Sequence, residues 1–169
     1  MVDTSNRLMA SVARIRWEGH LGGWICHAQR GFLPHRSLLA NELELEDEAM
    51  QTSLRESEGC IILLDFAAAC PSVSQQFLRA ALKHVGFPPA ALHFIDAMYH
   101  NNACQVQIKG SRYEGFEMSG GIRQGCPLSP LLFITAMDGL LRLIMREVAG
   151  ATVKAFADDT AVVFKSLKE

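Results

Sequence analysis

Three aspartates stand beside apolar segments of this chain, where carboxylates are uncommon. Asp158 and Asp159 are adjacent within VKAFADDTAVVF, and Asp65 follows the apolar run CIILL. Two carboxylates about 4 Å apart repel each other by roughly 4 kcal/mol at an effective dielectric constant near 20. A folded chain relieves this repulsion by exposing the side chains, by protonating one of them or by binding a cation.

Taken alone, the adjacent pair Asp158 and Asp159 is typical of an exposed hairpin turn, where aspartate is common. Asp65 alters this interpretation, although Asp65 by itself is also typical of a residue that caps a helix. If the two apolar segments are neighbouring strands, Asp65 and Asp158 can face each other. Such oxygen ligands suit Mg²⁺, which shares its remaining positions with water and substrate phosphates. They would form the protein part of a two-metal phosphoryl-transfer site.

The composition is that of one soluble domain with a core. The chain has 169 residues, of which 49% are hydrophobic and 20% are charged, and its formal net charge is −2. This balance argues against a nucleic-acid binder that acts alone, so such a partner would require a local basic groove, metal ions or more protein. The five cysteines have no CxxC spacing, which excludes a disulfide framework and a zinc site and favours a reducing, intracellular compartment.

No segment of the sequence predicts a signal peptide or a membrane span. The N-terminus lacks an apolar signal region. The most apolar segment, PLSPLLFITAMDGLLRLIMREVAG, predicts an amphipathic helix rather than a span. Its polar face would hold Thr135, Asp138, Gly139, Arg142 and Arg146, with Asp138 and Arg142 as an i,i+4 pair. We therefore expect a protein of the nucleus or cytoplasm with no membrane partner.

The remaining pattern predicts an α+β fold. The first forty residues are loosely helical with a break at GHLGGW, and ELELEDEAMQTSLRESEG predicts a solvated helix. CIILLDF predicts a buried strand, and SVSQQFLRAALKHVG predicts a helix capped by Ser72 or Ser74. The pattern then predicts a second helix, a hairpin about KGS, a glycine-rich loop, the amphipathic helix and a hairpin about ADD. The result is an antiparallel sheet with helices packed on one face.

Several blocks in a fixed order resemble the reverse transcriptase domain of non-LTR, LINE-type retrotransposons. They are QRGFLPHRS at 29–37, LLDFAAACPSV at 63–73, the segment from LKHVG to SPLLF at 82–133, and AFADDTAVVF at 155–164. The most specific of them is GIRQGCPLSPLLF. The resemblance implies the palm of a right-hand polymerase with an antiparallel sheet, packed helices, partial fingers and no thumb. It divides the chain into a fingers-like segment at 1–59 and a palm at 60–169.

The resemblance also implies site residues and partners. Asp65 and Asp158 would be the principal ligands of two Mg²⁺ ions, or of Mn²⁺, with Asp159 as third carboxylate and the Phe66 carbonyl as main-chain ligand. The nucleotide would meet Ala68, Ala69, Cys70, Gln124 and Gly125. The template phosphates would meet Arg30, Arg36 and Arg123, although Arg30 and Arg36 are equally typical of surface charges. The reaction would add deoxynucleoside triphosphates to a primer 3′ end on an RNA or DNA template.

The sequence departs from the family pattern beside the predicted metal site. Cys70 stands where relatives carry an aromatic gate against the ribose 2′-hydroxyl, Pro71 follows it, and Gly120 replaces a frequent arginine. We therefore expect weak discrimination between deoxyribonucleotides and ribonucleotides. The upstream triphosphate-binding residues, the thumb and an endonuclease domain have no counterpart in these 169 residues.

Three interpretations follow from these features. The first is a reverse transcriptase fragment with its metal site preserved. The second is a catalytically silent palm that remains from a decayed element or acts as a scaffold. The third, a different metal-dependent phosphoryl enzyme, is disfavoured by RQGCPLSP.

Overall fold

The computed structural model describes residues 4–56 and 58–166. The helices are α1 (Thr4–Trp24), α2 (Leu38–Arg55), α3 (Ala69–Ser72), α4 (Gln75–His84), α5 (Pro89–Tyr99) and α6 (Ser129–Glu147). The strands are β1 (Cys60–Leu64), β2 (Ala103–Ile108), β3 (Ser111–Glu117), β4 (Thr152–Phe156) and β5 (Asp159–Phe164). This mixture of helices with antiparallel strands confirms the predicted α+β palm-type fold.

The strands form two antiparallel sheets. One has the order β1-β5-β4, and the other is the hairpin of β2 and β3. Lys109 and Gly110 both have positive φ at the hairpin turn, as a two-residue type I′ connection requires. Ser74 caps α4 by accepting a hydrogen bond from the Phe77 amide, and Gly86 has a φ of +88° just after that helix. These local predictions are confirmed.

Helix α6 forms the centre of the core. Leu131, Leu132, Phe133 and Ile134 are buried, and α1 and α4 pack against this helix. Burial extends to two residues of the predicted polar face, because Thr135 and Asp138 are also enclosed. Each has hydrogen-bond partners that compensate for the lost water: the Thr135 hydroxyl donates to the Leu131 carbonyl, and Asp138 accepts two donors. The prediction that these two side chains face solvent is therefore wrong.

Helices cover both faces of the three-stranded sheet rather than the one face that was predicted. Val153 and Val162 pack with Leu141 of α6 on one face. Ala161 and Val163, which alternate with Val162 along β5, line cavities together with residues of α2. Strands β4 and β5 therefore lie between α6 and α2.

Strand β1 is not the buried strand that its apolar sequence predicted. It lies at the edge of the sheet, and Leu63 is 74% exposed. Ile61 and Ile62 are exposed as well. A continuous apolar run predicts a strand, but it does not show whether other elements cover that strand.

The predicted break at GHLGGW is also wrong, because α1 continues to Trp24. Leu21 is completely buried, and this burial holds the last turn of the helix against the core. The guanidinium of Arg36 donates to the carbonyls of Gly22 and Ile25, which satisfies acceptors at the helix end. In the described parts of the chain, no helix is both long and apolar enough to cross a membrane.

Candidate active site

Strands β1 and β5 are direct neighbours, so the two segments with predicted catalytic carboxylates meet. Their register pairs Leu64 with Thr160. One further step along this register places Asp65 opposite Asp159, just beyond the last pair of the ladder. Directly opposed residues of antiparallel strands lie on the same face of the sheet. Asp65 and Asp159 accordingly line one cavity of about 370 Å³ between the sheet and α2.

Asp158 lies at the tip of the hairpin that joins β4 to β5. Phe156 pairs with Asp159, which leaves Ala157 and Asp158 as a two-residue turn. Ala157 has a φ of +59°, whereas the φ of Asp158 is not positive. This combination is the one expected for a type II′ turn. Asp158 is half-buried and Asp159 is exposed. The turn thus orients the two neighbouring carboxylates differently.

A buried glutamine that the sequence analysis left without a role holds this tip. Gln29 is completely buried, and its side-chain amide nitrogen donates to the Ala157 carbonyl at 2.9 Å. Its side-chain oxygen accepts from the Ala157 and Gly31 amides, both at 2.8 Å. The position of Gln29 within QRGF was visible in the sequence, but no local pattern indicates a contact across 128 residues.

The chain turns sharply after Asp65, where the triphosphate was predicted to bind. Ala68 has a φ of +52° and precedes the single turn α3. The Ser72 amide and hydroxyl both donate to the Ala68 carbonyl, at 3.0 and 2.9 Å. Phe66 is half-buried against the main core. The segment is therefore held at both ends, with Ala68 and Ala69 between them.

The glycine-rich loop lies directly beside this turn. The Ile122 amide donates to the Cys70 carbonyl at 2.8 Å, and the Gly121 amide donates to the Val73 carbonyl at 2.9 Å. Burial, and secondly the negative charge of Asp158, raise the pKa of the Cys70 thiol. Cys70 thus contacts the loop while lying in the field of the hairpin carboxylate.

The predicted loop residues differ in their surroundings. Gln124 and Gly125 are exposed, and Gly125 has a φ of +78°. Arg123 lies over the ring of Tyr99 at 5.4 Å, and its buried Nε atom lacks a hydrogen-bond partner in the residues that the structure describes. The Arg123 side chain is thus partly immobilised, with one donor unused.

The other two predicted phosphate-contacting arginines have protein partners. Arg30 donates to both carboxylate oxygens of Glu44, at 2.6 and 2.7 Å. Arg36 donates to four main-chain carbonyls, among them those of Cys26 and Gln29. Both arginines thus stabilise contacts within the protein. Their contact with template phosphates stays a prediction.

The carboxylates supply oxygen ligands beside an open cavity, and this arrangement suits a magnesium ion. Within 4–56 and 58–166, no three His, Cys, Asp or Glu side chains converge into a closed metal-binding group. Mg²⁺ is usually held by one or two carboxylates, with water and substrate phosphates completing its shell. Asp65 and Asp159 at the open end of the β1–β5 pair, with Asp158 at the adjoining tip, are donors of this kind.

Known proteins match the whole of this region. The reverse transcriptase (RNA-dependent DNA polymerase) family model matches residues 5–169. The Retrovirus-related Pol polyprotein from type-2 retrotransposable element R2DM of Drosophila melanogaster is 33% identical over 139 residues, which are 78% of this chain and 13% of that protein. The Transposon TX1 uncharacterized 149 kDa protein of Xenopus laevis is 27% identical over 99% of this chain and 14% of its own length.

A Pol polyprotein from a type-1 R2 element of Nasonia vitripennis is 29% identical over 80% of this chain. The chain spans only 13% to 14% of the length of these three relatives. Its ordered motifs, its palm-type sheet and these matches lead to one conclusion: the chain belongs to the reverse transcriptase family, and its relatives are the proteins of non-LTR retrotransposons.

Proposed function

We propose that this chain is the palm-bearing part of an RNA-directed DNA polymerase, which adds deoxynucleotides to a primer 3′ end on an RNA or DNA template. The single observation that supports it most is the pairing of β1 with β5. Asp65 and Asp159 come from two motifs that are 94 residues apart in sequence, and this pairing brings them to the same end of two adjacent strands.

In this proposal, Asp65, Asp158 and Asp159 hold two Mg²⁺ ions, with the Phe66 carbonyl as a further ligand. Bound there, the ions would supply charge neutralisation for the attacking hydroxyl and the leaving pyrophosphate. The amides of Ala68 and Ala69 would bind the triphosphate, since small side chains permit close approach. Cys70, Gln124 and Gly125 would shape the nucleotide pocket, and Arg123 would contact the template phosphates.

The protein would act mainly by positioning its substrates. The hydrogen bond from the Ile122 amide to the Cys70 carbonyl holds the loop that carries Gln124 beside the segment that follows Asp65. Geometry of this kind lowers the barrier by arranging the reacting groups before reaction. The proposed fingers segment, 1–59, takes part through Gln29, which binds the catalytic hairpin directly.

Primer extension on a homopolymer template with Mg²⁺ or Mn²⁺ tests this function. We expect the wild type to extend the primer weakly at most, and we expect Asp158→Ala to abolish any extension. Asp47→Ala is the matched control, because it removes the same charge from an exposed site on α2. Absence of extension in the wild type, with no Mn²⁺ binding sensitive to Asp158→Ala, would favour the silent palm instead.

A further inference from the structure

The tip of the catalytic hairpin has a backbone conformation that needs external support. The first position of a type II′ turn ordinarily carries glycine, but Ala157 stands there with a φ of +59°. A residue in such a sparsely populated region costs on the order of 1–3 kcal/mol and persists only where its surroundings enforce it. Asp158 is the next residue, so the backbone of this turn sets the direction of its side chain.

Gln29 supplies that support with every polar atom of its side chain. The amide nitrogen donates to the Ala157 carbonyl, and the oxygen accepts from the Ala157 amide, so one side chain binds both main-chain groups of one residue. The same oxygen accepts from the Gly31 amide. Because the group is fully buried, water cannot replace any of these bonds.

The segment that carries Gln29 is itself anchored to the adjoining strand. The Ala155 amide donates to the Ala28 carbonyl, and the Arg30 amide donates to the Ala155 carbonyl, both at 2.8 Å. This short parallel bridge fixes Gln29 at the level of the turn. The segment 28–30 is thus attached to β4 just before the tip.

We propose that Gln29 is a positioning residue for the metal-binding carboxylates: by clamping both main-chain groups of Ala157, it sets the direction of Asp158. This inference rests on the proposed function, since it assigns Asp158 to a divalent cation. Partners that orient a metal ligand are worth about 10–100-fold in metal affinity. Gln29 would act in this way through the backbone rather than through a side-chain contact.

Two measurements on the full chain test the inference. The first is a Mn²⁺ titration monitored by water-proton relaxation, and the second is hydrogen exchange of the Ala157 amide. We expect Gln29→Met to raise the Mn²⁺ dissociation constant about tenfold and to accelerate Ala157 exchange at least about tenfold. Gln29→Asn keeps a neutral amide but is one methylene shorter and cannot reach both main-chain groups of Ala157, so its effects should have the same direction. It also provides the measurement if Gln29→Met does not fold.

Thr135→Val is the matched control. Thr135 is a buried polar side chain that donates to the Leu131 carbonyl within α6, and it does not line the cavity of Asp65 and Asp159. Its loss should leave Mn²⁺ affinity and Ala157 exchange within about twofold of the wild type. A general structural role of buried polar side chains would move both variants alike.

The outcomes separate the inference from the proposed function. If the wild type binds Mn²⁺ in a manner that Asp158→Ala abolishes, while folded Gln29 variants bind equally well, the inference is overturned and the function stands. If the wild type shows no binding that depends on Asp158, both are overturned. Weakened binding in Gln29→Met and normal binding in Thr135→Val would support both.

Discussion

Gly31 lies against the backbone of Ala157 so closely that a β-carbon on Gly31 would be 2.4 Å from the Ala157 amide nitrogen. Real β-carbons do not approach a backbone atom to this distance. The glycine therefore permits the contact through which the segment after α1 reaches the turn that carries Asp158.

Gly31→Ala should accordingly destabilise the protein by about 1–3 kcal/mol, because the added methyl must displace backbone rather than a flexible side chain. Urea denaturation measures the change. Gly23→Ala is the control: it has open space around its β-carbon position and lies within α1, so it should stabilise by about 0.5–1 kcal/mol. Equal effects of the two substitutions would contradict the close contact.

The ion pairs of Glu44 predict a pH dependence of stability at acid pH. Hydrogen bonds from Arg30 and then Lys154 lower the pKa of Glu44 from 4.5 to about 2. A carboxylate whose folded-state pKa is depressed contributes stability that is present above its unfolded pKa and is lost as the pH falls through the folded value. This contribution is therefore lost between pH 4.5 and pH 2.

Glu44→Gln lacks the titrating group, so its deficit relative to the wild type should shrink as the pH falls through that range. The deficit is small at every pH, because the side chain is exposed and solvent screens the pairs. Urea denaturation of both proteins over this range measures it. A deficit that is independent of pH would argue against the assignment.

The buried carboxylate of Asp138 joins α6 to the end of α1. It accepts from the Cys26 amide at 2.7 Å and from Nε of Arg142 at 2.5 Å. Arg142→Met removes the cation and leaves a buried charge, so we expect a loss of about 3 kcal/mol in the free energy of unfolding. Arg146→Met, whose partner Glu147 is exposed, should cost less than about 1 kcal/mol. Similar losses in the two variants would refute this role.

Cys70 predicts the sugar selectivity of the proposed polymerase. Its side chain is smaller than the aromatic residue that the resemblance predicts at this position, so we expect the wild type to discriminate poorly against ribonucleotides. Cys70→Phe should increase the preference for deoxyribonucleotides at least about tenfold, measured by parallel primer extension. Cys104→Phe, on the separate hairpin strand β2, should leave the preference unchanged. Strict discrimination by the wild type would disprove the prediction.

Local sequence patterns predicted the elements around the site well. Ser74, Gly86 and the pair Lys109 and Gly110 marked a helix start, a helix end and a turn, because capping and positive φ depend on neighbouring residues. Burial was predicted less reliably. Leu63 was expected to be buried and is exposed, whereas Asp138 was expected to be exposed and is buried. Exposure depends on elements that lie far away in the sequence.

The sequence by itself determined the family and the order of the motifs, because both are read from residue types and their spacing along the chain. Only the tertiary structure decided that β5 lies between β1 and β4, which brings Asp65 opposite Asp159. It also decided that Gln29 binds Ala157. Both contacts close loops of about a hundred residues, and their geometry depends on the packing of every element between.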